Sequence, residues 1–133
     1  MKIRLDHGLA YVEAALAFRG KTLHLDSVIL DTGSASTLFA SDKLLEIGIV
    51  PEPSDSLKRI RGIGGVEFVF TKHIDRLAVG EIAIVNFEIE VGAMDYGFPA
   101  QGILGLNFLV QAGVLIDLHR LELRPARPEH LDR

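Results

Sequence analysis

Apolar residues along this chain occur in short runs that are separated by glycine-containing turns. Two such runs, residues 9–18 and 22–30, flank Arg19-Gly20-Lys21, and this arrangement predicts a β-hairpin with a tight turn. The same pattern predicts two further hairpins, over residues 57–70 around Gly62-Ile63-Gly64-Gly65 and over residues 74–91 around Gly80-Glu81. Short strands at this spacing are typical of a small β-barrel or sandwich.

Helical patterns are few and short. Ser41 or Asp42 is placed to cap a helix of about two turns, which Gly48 ends. Residues 107–112 have the pattern of one or two further helical turns, with Asn107 as a candidate cap. Short strands are predicted over residues 100–104, 114–118 and 121–123, the last two as a pair. The predicted fold is therefore all-β with one or two short helices.

Composition limits the organisation and the partners of the chain. Its 133 residues, 48% of them hydrophobic, suit one compact domain. We assign residues 1–123 to that domain and residues 124–133, which carry Pro125 and Pro128 among charged residues, to a C-terminal tail. The formal charge is −4, with lysine and arginine scattered along the chain, which argues against a nucleic-acid partner.

Cysteine and histidine usage narrows the chemistry further. The chain has no cysteine, which excludes a thiol nucleophile and a thiolate metal site. Its five histidines are dispersed without the spacing of metal ligands, so we expect no metal and no cofactor. The first residues lack the apolar core of a signal peptide, and no run approaches the length of a membrane span. We therefore expect a cytoplasmic protein without a membrane partner.

Asp31-Thr32-Gly33 is the first candidate for chemistry. A β-branched apolar strand, residues 27–30, delivers the acid into a turn of small residues, which presents its carboxylate at the end of a buried strand. Glycine at the third position lets another backbone approach closely. The same tripeptide is also typical of an ordinary Asx turn, so it is weak evidence by itself.

Two later segments add to this motif. Gly62-Ile63-Gly64-Gly65 forms a hairpin tip that can lie over a ligand and offer backbone N–H groups, although for this segment by itself a glycine-rich β-turn without function is the favoured reading. Residues 102–107, with sequence Gly-Ile-Leu-Gly-Leu-Asn, form a short apolar strand that ends at glycine, a pattern that core packing also explains.

The order of these three segments resembles that of the retroviral-type aspartic proteases, or retropepsins, and their cellular single-domain relatives. Asp31-Thr32-Gly33-Ser34 is similar to the catalytic signature of that family, residues 62–65 to its flap tip, and residues 103–107 to its second signature. The resemblance extends from about residue 9 to residue 123, where the ending is similar to the closing hairpin of the cellular relatives. It implies a small closed β-barrel of the acid-protease type with a flap hairpin.

The resemblance also implies roles for single residues. Asp31 is expected to be the catalytic carboxylate, Thr32 to hydrogen-bond to a partner subunit, and Gly33 to bind substrate backbone. The remaining expected contacts with substrate are made by the flap and by the walls of the cleft: Ser34, Ala35, Gly62, Ile63, Gly64, Gly65 and Ile103.

Two positions depart together from the retroviral pattern. Where those enzymes commonly carry an Asp–Arg ion pair, this chain has Ala35 and Leu106. Because both are apolar, no buried charge is left unpaired, but retroviral substrate preferences do not transfer. Ser34 replaces the usual alanine, and its hydroxyl is placed to donate to Asp31 and so to favour the ionised carboxylate.

Hydrolysis by this route needs two carboxylates that share a proton. The sequence contains no second Asp-Thr-Gly or Asp-Ser-Gly, and Asp95-Tyr96-Gly97 follows no apolar strand. We therefore expect a homodimer that brings two copies of Asp31 together and cleaves a polypeptide substrate.

Other readings of the polar residues are weaker. Ser34, Ser36 and Thr37 lack the Gly-x-Ser-x-Gly turn of a serine nucleophile, and Glu88 and Glu90 alternate with apolar residues as in a half-solvated strand. The serious alternative is an inactive dimerisation or peptide-binding module with the same fold, since fold does not fix function.

Overall fold

A computed structural model describes residues 1–62, 65–95 and 99–126 of the chain. The described strands are β1 (Arg4–Asp6), β2 (Leu9–Phe18), β3 (Lys21–Leu30), β4 (Leu38–Ala40), β5 (Leu57–Gly62), β6 (Gly65–Val79), β7 (Ile82–Gly92), β8 (Gly102–Leu104), β9 (Val114–Asp117) and β10 (Glu122–Pro125). The described helices are α1 (Ser41–Leu44), which continues as a 3₁₀ turn (Leu45–Ile47), and α2 (Leu106–Ala112). The prediction of an all-β fold with short helices is confirmed.

The β2–β3 hairpin forms where the sequence predicts it. Phe18 pairs with Lys21, so the turn is the two residues Arg19 and Gly20. Both have positive φ, 48° and 83°, which is the backbone of a type I′ turn. The twist of that turn matches the twist of two long antiparallel strands, which explains why a non-glycine residue adopts a left-handed conformation here.

Six strands are joined in a ring by their pairings. The order β2-β3-β8-β4-β7-β6 returns to its start because β6 also pairs with β2, through residues 76–78 and 15–17. β3 and β8 run parallel, as do β4 and β7, and the other four pairings of the ring are antiparallel. A ring protects strand edges that an open sheet would expose. The small barrel expected from the resemblance is confirmed in its architecture.

The main core fills this ring. Leu16 and Leu77, a cross-strand pair at the β2–β6 contact, are both fully buried. Phe108 of α2 packs edge-on against Phe87 of β7, with ring centroids 5.6 Å apart and planes at 86°. Helix α2, which begins two residues after strand β8 ends, therefore packs against β7.

The second and third predicted hairpins share one long strand. β5 pairs with β6 in the register Leu57↔Phe70 to Gly62↔Gly65, and β6 pairs with β7 up to Val79↔Ile82. The sequence predicted a break before Ile74, but β6 runs without one from Gly65 to Val79. Ile63 and Gly64 of the predicted tip lie outside the described residues.

Neither predicted helix cap is correct. The N-cap of α1 is Ala40, without a side-chain hydrogen bond, so Ser41 and Asp42 lie inside the helix rather than before it. The N-cap of α2 is Gly105, also without a side-chain bond, and Asn107 lies in the first turn. Gly48 does end the first helical segment, with φ of 79°.

The last strands form a separate two-stranded sheet. β9 and β10 pair antiparallel, as predicted, and Lys2 forms a β-bridge with Glu122. Arg124 and Pro125 of the predicted tail belong to β10, and residues 127–133 lie outside the described part of the chain. Within the described ranges, no helix is long and apolar enough to cross a membrane.

Leu16 is buried where the ring closes, so shortening its side chain should destabilise the fold. Leu16→Ala is expected to lower the free energy of unfolding by about 2–5 kcal/mol, because it leaves a cavity at the β2–β6 contact. Urea denaturation measures this change. Val85→Ala is the control, since Val85 is 70% exposed and its loss should stay within about 0.5 kcal/mol. Equal losses for the two variants would contradict a core centred on the ring closure.

Candidate active site

Asp31 follows directly on strand β3. Leu30 pairs with Leu104 of the parallel strand β8, and the backbone N–H of Asp31 donates to the Leu104 carbonyl oxygen at 3.1 Å. Val28 is fully buried, whereas the Asp31 side chain is half-buried. The acid therefore stands at the end of a buried strand, where its backbone is fixed from the neighbouring strand.

The turn after Asp31 orients its carboxylate. The N–H of Gly33 donates to Asp31 Oδ1 at 2.9 Å, and the N–H of Ser34 donates to the Asp31 carbonyl oxygen at 3.2 Å. This is the Asx turn that the sequence offered as a structural explanation, and it is present. It leaves Thr32 and Gly33 exposed on the outer side of the loop. The Asx turn is compatible with a functional carboxylate, because it fixes the side chain at a half-exposed position.

Ser34 does not act as predicted. Its hydroxyl donates to the Ser36 carbonyl oxygen at 2.8 Å, so its proton is directed within the loop and not toward Asp31. Ala35, the next residue, is exposed.

The loop of Asp31 packs directly on the segment of residues 102–107. The N–H of Leu106 donates to the Ser34 carbonyl oxygen at 2.7 Å. A Cβ atom at Gly105 would collide with the carbonyl oxygen of Ser36, so this position needs glycine for close approach. The first and third motifs of the sequence are thus brought together, as the resemblance implies.

Thr37 joins the same two segments through its side chain. Its hydroxyl is buried, accepts from the N–H of Gly105 at 3.0 Å and donates to Asn107 Oδ1 at 2.8 Å. The Thr37 carbonyl oxygen accepts from the N–H of Glu90 at 2.8 Å. Asn107 therefore orients Thr37 instead of capping α2. In the sequence Thr37 is only one residue of a serine-rich turn, and no local pattern predicts this role.

A second, smaller apolar cluster lies on the other face of the sheet from the main core. Ile29 of β3 and Ile103 of β8 are register partners, and both belong to this cluster. Its other members come from β2 and from the segment that precedes β8: Leu9, Tyr11, Met94 and Ala100. Because Ile29 is two residues before Asp31, the cluster lies near the end of β3 that leads to the carboxylate, and it includes Ile103, which the resemblance places in the wall of the cleft.

The glycine-rich hairpin is described only in part. Gly62 and Gly65 are a cross-strand pair at its end. Ile63 and Gly64, which the resemblance places over substrate, lie outside the described residues.

The described ranges contain no group of three or more histidine, cysteine or acidic side chains arranged to hold a metal ion. His7, for example, is exposed and pairs with its neighbour Asp6 at 2.7 Å.

Comparison with known proteins connects this geometry to a family. A family model described as aspartyl protease, of the retropepsin-like type, matches residues 14–108, a range that contains Asp31, the β5–β6 hairpin and Gly105. Among curated proteins, glutamyl-tRNA reductase from Corynebacterium urealyticum is 31% identical over 104 residues. That match covers 70% of this chain and 21% of the reductase, so the chain spans about a fifth of the length of this relative.

Removing the Thr37 hydroxyl tests the link between the two segments. Thr37→Val keeps the shape of the side chain but leaves the buried Gly105 N–H without its acceptor. We expect a loss of about 1–3 kcal/mol in the free energy of unfolding, measured by urea denaturation. Thr37→Ser, which keeps the hydroxyl, is the matched control and should lose less. A Thr37→Val protein at least as stable as Thr37→Ser would contradict the assigned hydrogen bonds.

Proposed function

Since the chain belongs to the aspartyl protease family, we propose that it is an aspartic endopeptidase whose active site is completed by a second copy of the chain. The observation that carries this proposal is the position of Asp31. Its carboxylate is half-buried at the end of β3 and held by the Gly33 N–H, while Thr32 and Gly33 beside it are exposed. The hydrogen bond from Gly33 fixes the orientation of the carboxylate, and the exposed residues beside it leave room for a substrate and for a partner chain.

One such carboxylate is insufficient for the reaction. Aspartic proteases use two carboxylates that share one proton, because like charges about 3 Å apart do not both ionise. The family match covers one Asp-Thr-Gly, and the sequence holds no second one. A two-fold axis beside Asp31 supplies the second carboxylate from an identical chain, through the isologous contact that is most common among dimers.

In the proposed dimer, the two carboxylates divide the chemistry. One ionised Asp31 accepts a proton from a water molecule as the water oxygen attacks the peptide carbonyl carbon. The partner's Asp31, which is protonated, donates its proton to the carbonyl oxygen. As the tetrahedral intermediate collapses and its C–N bond breaks, the first Asp31 passes the proton it took from water to the leaving amine. The partner's Asp31 takes a proton from a hydroxyl of the intermediate, which becomes the product carboxylic acid, so both carboxylates return to their starting states.

The surroundings of Asp31 support an extended peptide as substrate. The apolar cluster around Ile29 and Ile103 offers a wall for an apolar side chain near the scissile bond. Ala35 is exposed and Leu106 is 43% exposed. Because both side chains are apolar, neither position brings a charge to the proposed cleft. We propose that the subsites near the substrate ends are apolar as well. Gly62, Ile63, Gly64 and Gly65 are assigned to the cover over the substrate on the strength of the family resemblance.

The reductase match does not suggest a different activity. It covers a fifth of that protein, and within this chain the aspartyl protease model spans the motif, the hairpin and the Gly105 segment. We therefore propose no reductase function for the chain.

Asp31→Asn tests the proposed activity directly. The substitution keeps the acceptor for the Gly33 N–H but removes the charge, so hydrolysis should fall by at least about 10³-fold while the fold is retained. Cleavage of a peptide library between acidic and neutral pH measures the rate, and circular dichroism checks the fold.

Asp26→Asn is the matched control, because Asp26 is an exposed acid on the same strand, and its rate should equal that of the parent. An Asp31→Asn protein as active as the parent would refute the catalytic assignment. A parent that binds peptides without cleaving any would favour the binding module instead.

A further inference from the structure

Lys72 is a buried cation that the proposed chemistry does not use. Its side chain is 4% exposed, and its Nζ lies 2.6 Å from Asp55 Oδ2 and 2.7 Å from Glu52 Oε1. The rings of Phe18 and Phe70 each have their centroid 5.9 Å from the same Nζ. Two carboxylates and two aromatic faces therefore compensate the charge that burial would otherwise make costly.

Arg19 extends this arrangement to the turn of the β2–β3 hairpin. Its guanidinium donates to both oxygens of Glu52, at 2.9 and 3.3 Å, and lies over the ring of Phe18 at 4.6 Å. Its backbone N–H donates to Asp75 Oδ2 on β6 at 2.8 Å. We call Arg19, Glu52, Asp55 and Lys72 the Lys72 cluster. Its two cations and two carboxylates balance in charge.

The cluster closes the loop that leads into β5. The N–H of Glu52 donates to Asp55 Oδ2 at 2.8 Å, and the N–H of Asp55 donates to the Glu52 carbonyl oxygen at 2.9 Å. The N–H of Thr71, next to Lys72, donates to the Ser56 carbonyl oxygen at 2.9 Å. The carboxylate of Asp55 thus fixes both its own loop and the facing strand.

This loop leads directly into the β5–β6 hairpin, at the end where Leu57 pairs with Phe70, which we call its root. β6 pairs with β7 from Phe70 onward, but in the described residues positions 65–69 pair with β5 alone and form a two-stranded ribbon. Leu57 and Phe68, which share one face of this ribbon, are 71% and 61% exposed, so these described side chains have little packing. A two-stranded ribbon is marginally stable by itself. Its position therefore depends on how its root is held, and Lys72 lies two residues beyond that branch point.

The pKa shifts of Lys72 and Glu52 indicate that the contact between them is an ion pair. Burial alone would lower the pKa of Lys72, but its hydrogen bonds to Asp55 and Glu52 outweigh burial and hold that pKa above its ordinary value. The hydrogen bond from Lys72, followed by that from Arg19, lowers the pKa of Glu52. Near neutral pH Lys72 and Glu52 are therefore both charged, and their contact is ionic.

We infer that the Lys72 cluster is a positioning device for the β5–β6 hairpin, which fixes the root of the ribbon and so sets where its glycine end lies. A buried ion pair adds little net stability compared with apolar packing, but its short directed bonds restrict orientation. The consequence for substrate, that a fixed ribbon holds a bound peptide, rests on the proposed function. The positioning of the ribbon by the Lys72 cluster is independent of that function.

A second contact links the same ribbon to the active-site loop. Lys58 of β5 lies 3.6 Å from the carboxylate of Glu90, whose backbone N–H donates to Thr37. Glu90 is therefore shared between the ribbon and the loop that holds Asp31.

Hydrogen exchange of the intact chain tests the positioning role without reference to activity. The variants are Asp55→Asn, which removes one charge and keeps the loop acceptor, and Lys72→Met combined with Asp55→Asn, which leaves Glu52 paired with Arg19. We expect amides of β5 and of residues 65–70 to exchange about tenfold faster, with β2 and β3 unchanged. Lys43→Met is the control, since it breaks an exposed ion pair at 4.0 Å between Lys43 of α1 and Glu46 of the following 3₁₀ turn and should change neither region.

Two results would overturn the inference. Unchanged exchange of the ribbon would show that the cluster does not hold it, and equal acceleration of all strands would show a merely structural role. In the active protein, KM should rise more than kcat falls, because looser positioning weakens peptide binding; a fall in kcat alone would contradict the substrate part. A parent without hydrolysis would count against the proposed function, while exchange still decides the positioning role.

Discussion

The close contact between Gly105 and the loop that follows Asp31 is the constraint on which the rest of the site depends. A side chain at Gly105 would collide with the Ser36 carbonyl oxygen, and the N–H of Gly105 donates to the buried Thr37 hydroxyl. Asp31 in turn takes its backbone position from Leu104, the residue before this glycine. Two segments about seventy residues apart therefore form one unit, and a shift of either would move the carboxylate.

The ring of strands makes this contact possible. β8 lies between β3 and β4, so it delivers Leu104 and Gly105 to the end of β3 and to the segment before β4 at once. Closure between β2 and β6 removes the freedom that an open sheet would have to flatten or splay. The β5–β6 hairpin extends from this ring, and in the described part of the chain its residues 65–69 pair with β5 alone.

Several local patterns in the sequence predicted the structure correctly. The Arg19-Gly20 turn, the placement of Asp31 at a strand end and the stop at Gly48 each follow from neighbouring residues and their backbone preferences. Other predictions were wrong, most often where a side chain has a distant partner. Asn107 has the composition of a helix cap, but its oxygen is bound to Thr37, seventy positions away. Lys72 looks like an ordinary strand lysine, and only the folded chain brings Glu52 and Asp55 to it. Ser34 shows a local failure, since the Ser36 carbonyl competes with the carboxylate for one hydroxyl proton.

The central claim, that two chains build one active site, is tested most directly by mixing subunits. Parent and Asp31→Asn chains are unfolded together in equal amounts, refolded, and assayed against the parent alone at the same total concentration. If each site needs an Asp31 from both chains, only parent homodimers are active, and the rate should be about one quarter of the parent rate. A rate of about one half would show that each chain acts by itself, and it would contradict the shared site.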